Sequence, residues 1–284
     1  MSNVQKVWLV YNAASGSNDE AALAALERAF EQSSCAITHR TCFPDDPAPT
    51  VEELDERRPD VLAVFAGDGT VNAVVTGLYG WGGPLLILPG GTMNLLSHRL
   101  HGDADAPDII RRYCSGARET VQPVVVGTRV GPGLTGVLVG PGAAWNDVRE
   151  AMRDADVVGM VSSATEAIDV STNGSKVVCA QPGCGREDGY AAITITPRDD
   201  ALACNGYFAD SLADYARQAM ALLQRDFRDG PHDDLGKHRE LSLTCPVGEP
   251  MKMLVDGEPH EGLVTEHFTI ERCEAHLIAT DFAG

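Results

Sequence analysis

The sequence predicts two folds in one chain: an α/β domain on a parallel sheet over residues 1–119, then a mostly antiparallel β-sandwich over residues 120–284. Three observations carry this reading. Apolar strands alternate with amphipathic helices through the first third, the pattern of a parallel sheet covered by helices. Three of those strands leave through loops of glycine and small residues. From about residue 120 that pattern gives way to short runs in which apolar and polar residues alternate, as they do in half-buried strands.

The elements follow in order. "VWLVY" (7–11) reads as a strand, "NAASGSND" as a small-residue loop, and "EAALAALERAF" as a helix with Leu23, Leu26 and Phe30 on one face. "AITHRTCF" (36–43) is a second strand, and "VLAVFAGDGT" (61–70) is a third that ends in a glycine turn. Asp-Gly alone signals a hairpin. Here Val71, Val74, Val75 and Leu78 fall at i, i+3, i+4 and i+7, so the chain leaves Asp68-Gly69 as a helix. "LLILPGGTMNLLSHRL" (85–100) repeats strand, glycine turn and helix, and "DIIRRYCSGARE" (108–119) adds a helix with a glycine stop. Beyond lie the strand candidates "TVQPVVVG", "GVLVG", "KVVCA", "YAAITITP", "LACNGYF", "LSLTCP", "MKMLVDG", "VTEHFTI" and "HLIAT". Two helices interrupt them, one around Asp147 to Ala155 and one from Ser211 to about Phe227.

Composition narrows the function. A hydrophobic content of 44% supports real cores. No run approaches the roughly 20 apolar residues of a membrane span, and the opening apolar run is too short for a signal peptide. A net charge of −19 argues against nucleic acid as a partner and against tight docking on anionic lipid. Eight cysteines contain no C-x-x-C pair, so reduced thiols in a cytoplasmic protein are expected. His98 and His101 are one helical turn apart with no third ligand apparent, and read as a solvated helix end. Oligomeric state is left open.

The chemistry is concentrated in three glycine loops: Asn12 to Gly16, Gly67 to Thr70 with Asn72, and Gly90-Gly91-Thr92 with Asn94. Each offers backbone N–H groups at a helix start, and two add a threonine hydroxyl, which suits the phosphates of a nucleotide. Neither the P-loop pattern nor G-x-G-x-x-G is present. Farther on, Asp256 and Glu258 flank a glycine, a pair able to orient a metal and accept a proton. The same triplet is also an ordinary surface turn.

"AGDGTVNAVVTGL" followed by "LPGGTMNLLSHRL" resembles the catalytic domain of the diacylglycerol kinase and sphingosine kinase family, whose bacterial lipid kinases carry GGDGT-x-N and then P-x-G-T-x-N. "NAASG" is similar to that family's N-P-x-S-G loop, and "LVDGEP" to its D-G-E motif. The resemblance implies a Rossmann-like first domain of the NAD kinase and diacylglycerol kinase type that binds ATP, a sandwich that supplies the acceptor site, and a requirement for Mg²⁺. By position, Asn12, Ser15 and Gly16 would form the first nucleotide loop. Ala66, Gly67, Asp68, Gly69, Thr70, Val71 and Asn72 would wrap the phosphates, with Gly91, Thr92 and Asn94 beside them. Thr41 would be a further nucleotide contact, and Asp68 would meet Mg²⁺, a ribose or a phosphate-bound water. Glu258 would be the proton acceptor with Asp256 next to it, and Asp210 would belong to a structural cation site. The chain departs from the pattern at Ala13, Ala66, Leu95 and Ala144.

The expected activity is an ATP-dependent transfer of the γ-phosphate to a lipid hydroxyl, with a diacylglycerol-like acceptor and a role in phospholipid biosynthesis. Its expected place is the cytoplasm, peripheral to the inner membrane face, with transient membrane contact. Two alternatives stand beside it: an NAD kinase-like small-molecule kinase, and a non-catalytic nucleotide- or lipid-binding protein.

Overall fold

The structure is a computed structural model that describes residues 4–13, 20–144, 174–208 and 232–282. Ser15, Gly16, Asp210 and the expected helices around 147–155 and 211–227 lie outside the described residues, as does the side chain of Ala144. The chain divides into two compact units, Met1–Pro123 with Arg272–Gly284, and Val124–Glu271.

The first unit is built on a six-stranded sheet. Its strands are β1 (Gln5–Tyr11), β2 (Cys35–Cys42), β3 (Val61–Ala66), β4 (Pro84–Pro89), β5 (Glu119–Val121) and β16 (His276–Ala279). Their order is β2-β1-β3-β4-β16-β5. All neighbours are parallel except the β16–β5 pair. β3 is buried along its whole length, so it reads as a continuous apolar run and not as an alternating one. One face of the sheet, through Val7, Leu9, Val61, Ala63, Phe65, Leu86 and Leu88, shares a core with two helices. These are α1 (Glu20–Glu31), through Leu26 and Phe30, and α5 (Ala106–Ser115), through Ile109, Ile110 and Tyr113. α5 is fixed at both ends: the Asp105 side chain accepts from the Asp108 N–H, and Gly116 closes the last turn in the left-handed region.

Three further helices are α2 (Val51–Arg57), α3 (Asp68–Gly77) and α4 (Leu95–His101). They bury Leu54, then Val71, Val74 and Val75, then Leu96 and Leu100. α2 was not foreseen, yet its signal is in the sequence. Thr50 and Glu53 form a reciprocal capping box, the pattern T-x-x-E.

Two expectations are corrected here. The sequence reading gave everything after residue 120 to the second domain, but β16 returns to the first sheet. "HLIA" pairs with β4 and β5, and the Cys273 N–H donates to the Pro123 carbonyl. A strand added from the far end of the chain leaves no local signal. Reduced thiols were expected, but Cys35, at the start of β2, is joined to Cys114 in α5 by a disulfide. The two cysteines are 79 residues apart, so only the fold shows that they meet.

The second unit holds two antiparallel sheets. One has the order β11-β10-β9-β7-β13-β14, with β7 (Val137–Val139), β9 (Ala192–Arg198), β10 (Ala201–Tyr207), β11 (His232–His238), β13 (Lys252–Val255) and β14 (Glu258–Glu261). The other has the order β6-β15-β12-β8, with β6 (Val124–Gly127), β8 (Val178–Cys179), β12 (Glu240–Thr244) and β15 (Thr265–Arg272). Val139, Ile193, Ile195, Met253 and Val255 of the first sheet share one core with Leu241, Leu243 and Phe268 of the second. Sheets packed face to face in this way make a sandwich. Among the described residues no helix is long and apolar enough to cross a membrane.

Candidate active site

Asn12, the first residue of the opening loop, and the glycine turns after β3 and β4 lie at the carboxyl ends of β1, β3 and β4, where open α/β sheets bind ligands. The contacts are direct. The Asn12 side-chain amide donates to the Thr70 hydroxyl at 3.1 Å, which joins the first loop to the second. An Asp68 carboxylate oxygen accepts from the Leu95 N–H at 2.7 Å, which joins the second to the third. Gly91 packs against Gly67 so closely that a Cβ there would stand 2.5 Å from the Gly67 Cα. That approach leaves no room for a side chain at Gly91, which explains the glycine there.

Asp68 does not close a hairpin. Gly67 is the N-cap of α3 and Asp68 is its first residue. An N-terminus of that kind, approached on both sides by small residues, is where backbone N–H groups and the helix dipole favour phosphate. The residues present therefore fit a nucleotide phosphate: a glycine cap, the Thr70 hydroxyl beside it, and a cradle at Gly67 and Gly91 that a Cβ would fill. Ala66 ends β3, and its backbone is not in the left-handed region. The departure from glycine there is conformationally harmless.

Asn94 and Thr41 are placed otherwise than expected. Asn94 adopts φ +52° and turns its amide inward. Its oxygen accepts from the Gly91 N–H at 2.7 Å and its nitrogen donates to the Gly91 carbonyl at 2.8 Å. Its role is to lock the turn that presents Thr92, which is exposed. Thr41 is buried on the outer strand β2, and its hydroxyl accepts from the Trp8 indole N–H at 2.9 Å. Among the described residues no hydrogen bond joins its side chain to the three loops. Leu95 contributes its backbone N–H to Asp68 while its side chain is exposed, so that departure leaves the bond intact.

The histidines need a correction. His98 faces solvent and pairs with Asp103 at 3.2 Å, but His101 is fully buried, with Nδ1 3.0 Å from the Thr280 hydroxyl. Burial lowers its pKa to about 4. A buried neutral imidazole is not a solvated helix end. Among the described residues no cluster of three or more ligating side chains could hold a metal ion.

In the second unit the acids separate. Asp256 and Gly257 are the central residues of the β13–β14 hairpin, at φ +50° and +89°. Glu258 opens β14 and is exposed, and its side chain makes no hydrogen bond or ion pair to a described residue. Asp256 is 6% exposed. Its carboxylate accepts from the Leu134 N–H at 2.8 Å, the Thr135 N–H at 2.8 Å, the Thr135 hydroxyl at 2.6 Å and the Gly136 N–H at 3.1 Å. Three of these four bonds come from the backbone and one from the Thr135 side chain.

The geometry defines an α/β domain with a glycine-lined phosphate rim, followed by an antiparallel sandwich. Residues 6–126 match the family described as the diacylglycerol kinase catalytic domain. No curated protein sequence matches the chain. Among solved structures it is similar to a diacylglycerol kinase from Bacillus anthracis str. Sterne, at 17% identity and TM-score 0.59 over 98% of each chain. It is also similar to a provisionally assigned diacylglycerol kinase from the same strain, at 18% identity and TM-score 0.62 over 98% of this chain and 96% of that one. At such identity the likeness is one of fold, and it extends over both units.

Proposed function

We propose that the protein is an ATP-dependent, Mg²⁺-requiring kinase that phosphorylates the hydroxyl of a lipid, with a diacylglycerol-like acceptor. The observation that carries the reading is the convergence of Asn12, the Gly67–Thr70 turn and the Gly91–Asn94 turn at one sheet rim, at the start of α3. The catalytic-domain match over residues 6–126 supports a kinase. The lipid acceptor and ATP are the finer part of the proposal.

When bound, ATP supplies the phosphoryl group and Mg²⁺ neutralises charge on its oxygens. The protein's residues do the rest by position. The first-turn N–H groups of α3 and the Thr70 hydroxyl orient the phosphates, and the close approach of Gly67 and Gly91 lets them lie against the backbone. Asp68 keeps two loops in register and is the first residue of α3. Glu258 takes the proton of the attacking hydroxyl, a task that suits an exposed carboxylate without a competing partner. A lipid acceptor brings the protein to a membrane face transiently, since no described helix spans one.

The test is transfer of label from γ-labelled ATP with Mg²⁺ to a panel of lipids, with NAD alongside. Label in a lipid is expected. Label in NAD would mark a small-molecule kinase, and no transfer would mark a binding protein. Glu258→Gln is expected to abolish turnover while ATP still binds, and turnover near wild type would remove Glu258 as the base.

A further inference from the structure

We infer that Asp256 is a positioning residue that fixes Glu258 through the backbone of residues 134–136; the inference rests on the kinase reading of Glu258. A carboxylate has about four lone-pair sites to offer. Here one oxygen accepts from Thr135 N–H, Thr135 hydroxyl and Gly136 N–H, and the other from Leu134 N–H. Three successive backbone N–H groups turned toward one anion form a nest, the arrangement proteins use to bind phosphate. In this chain the nest is filled by the protein's own side chain. The loop is tied back as well: the Asp256 N–H donates to the Gly136 carbonyl at 3.0 Å, and β7, which the loop enters, pairs with β13 through Val137 and Val255.

The consequence falls on Glu258. Its side chain has no partner among the described residues, so its place is inherited from its backbone alone. That backbone leaves a two-residue turn whose first residue, Asp256, is held at φ +50°, a region non-glycine residues occupy at a cost. The bonds of the nest hold it there. Asp256 thus sets the direction in which Glu258 leaves the hairpin. Its oxygens are committed to these bonds and only 6% of its surface is exposed, so its part is to position.

The experiment uses the full chain and four variants: Asp256→Asn, Thr135→Val, Thr135→Ser and Glu258→Gln. Asp256→Asn is expected to lower kcat about 100-fold, with the KM for ATP and the Mg²⁺ dependence unchanged, because misplacing a catalytic group by about 1 Å has an effect of that size. Thr135→Val, which removes one bond of the nest and touches no acid, is expected to show the same pattern at about tenfold, since a bond to a charged group is worth about that factor. Thr135→Ser restores the wild-type rate. A silent Thr135→Val, or an Asp256→Asn loss relieved by raising Mg²⁺, would overturn the proposal in favour of direct action. Amide hydrogen exchange on the free protein reads the same link without catalysis. Asp256→Asn and Thr135→Val are expected to speed exchange at residues 134–136 and at 257–258. Unchanged exchange at 257–258 would sink the proposal whatever the activity. If the wild-type protein transferred no phosphate but both variants loosened 257–258, the kinase reading would fall and the link between the nest and residue 258 would stand.

Discussion

The chain uses Asp-Gly twice at its candidate sites, and the two pairs behave differently. At 68–69 the dipeptide opens a helix; at 256–257 it turns a hairpin. The dipeptide is the same, so the flanking pattern decides. After Asp68, apolar residues recur at helical spacing, at Val71, Val74 and Val75. Before Asp256 they alternate, with Met251, Met253 and Val255 buried, and an alternating run followed by Asp-Gly is a hairpin signal. The two carboxylates nevertheless share a device. Each accepts backbone N–H groups from a distant segment, Leu95 for Asp68 and Leu134 to Gly136 for Asp256. They differ in what is left over. Asp256 is buried with four bonds, while Asp68 is part-exposed at a helix start. One carboxylate is absorbed into the fold, and the other remains within reach of a ligand.

The largest expected effect follows from that burial. Asp256→Ala strips the acceptor from three backbone N–H groups and puts alanine at φ +50°. Orphaned buried donors cost about 1–3 kcal/mol each, so a loss of about 4 kcal/mol in unfolding free energy is expected. Denaturant unfolding checks it. Asp256→Asn retains a residue that tolerates the left-handed region, and its smaller loss separates the conformational part from the bonds. Equal losses in the two variants would mean the turn conformation contributes nothing.

A pH experiment sharpens the contrast between the units, because its group lies only in the first. His101 packs against the Thr280 hydroxyl and the Ile87 backbone, and the Arg112 guanidinium bonds its carbonyl. Burial, and to a lesser degree Arg112, holds its folded pKa at about 4, below the ordinary 6.5. Above pH 6.5 the imidazole is neutral in both states and contributes no pH dependence. As pH falls from 6.5 toward 4 the unfolded chain takes up a proton that the folded one refuses, so stability falls with pH, by about 3 kcal/mol across the window. The measurement is unfolding of wild type and His101→Gln at pH 7 and pH 4.5. The wild type should lose more than the variant, and a second-unit probe such as Trp-free amide exchange at 193–195 should not register the difference. Parallel losses in wild type and variant would refute the assignment.

The same contrast explains what the sequence revealed. β3 and β4 of the first sheet were legible because they are buried and read as apolar runs. The glycine rim was legible because two glycines and a helical pattern leave one physical solution. Hidden from view were features that depend on partners remote in sequence: the sheet that β16 joins, the Cys35–Cys114 bond, and the nest around Asp256. β11 ("HDDLGKH") and β14 ("EPHE") were missed for another reason. They are the two edge strands of the six-stranded sheet, where little burial is needed and polar residues suffice. Asp256 was legible as an acid but not as an absorbed one, since saturation of a carboxylate is a tertiary property.

Gly91→Ala tests the rim by steric means. The added Cβ would meet the Gly67 Cα at 2.5 Å, backbone against backbone, so the turns must separate. A cost of about 2 kcal/mol is expected, the range for overpacking. Gly80→Ala, at φ +91° with open space around its Cβ, is the control for strain without collision. Nucleotide-dependent thermal stabilisation should be lost in Gly91→Ala and kept in Gly80→Ala. Retention in both would mean the close approach of the two turns has no part in binding.

The smallest expected effect on stability belongs to Asp68, and it separates the two carboxylates most sharply. The bond it accepts from the Leu95 N–H acts at the start of a seven-residue helix, as a cap does. Losing a capping acceptor costs about 1 kcal/mol, so Asp68→Ala should unfold only slightly earlier than wild type, well short of the loss in Asp256→Ala. Activity should invert the order of magnitude: Asp68→Ala is expected to abolish phosphoryl transfer, because the acid at the phosphate rim is gone while the fold remains. Asp68→Asn keeps an oxygen for Leu95 and should recover most of the stability but none of the turnover. If Asp68→Asn turned over at the wild-type rate, the negative charge at 68 would have no role in the chemistry. Asp68 would then be, like Asp256, a carboxylate spent on holding two segments together.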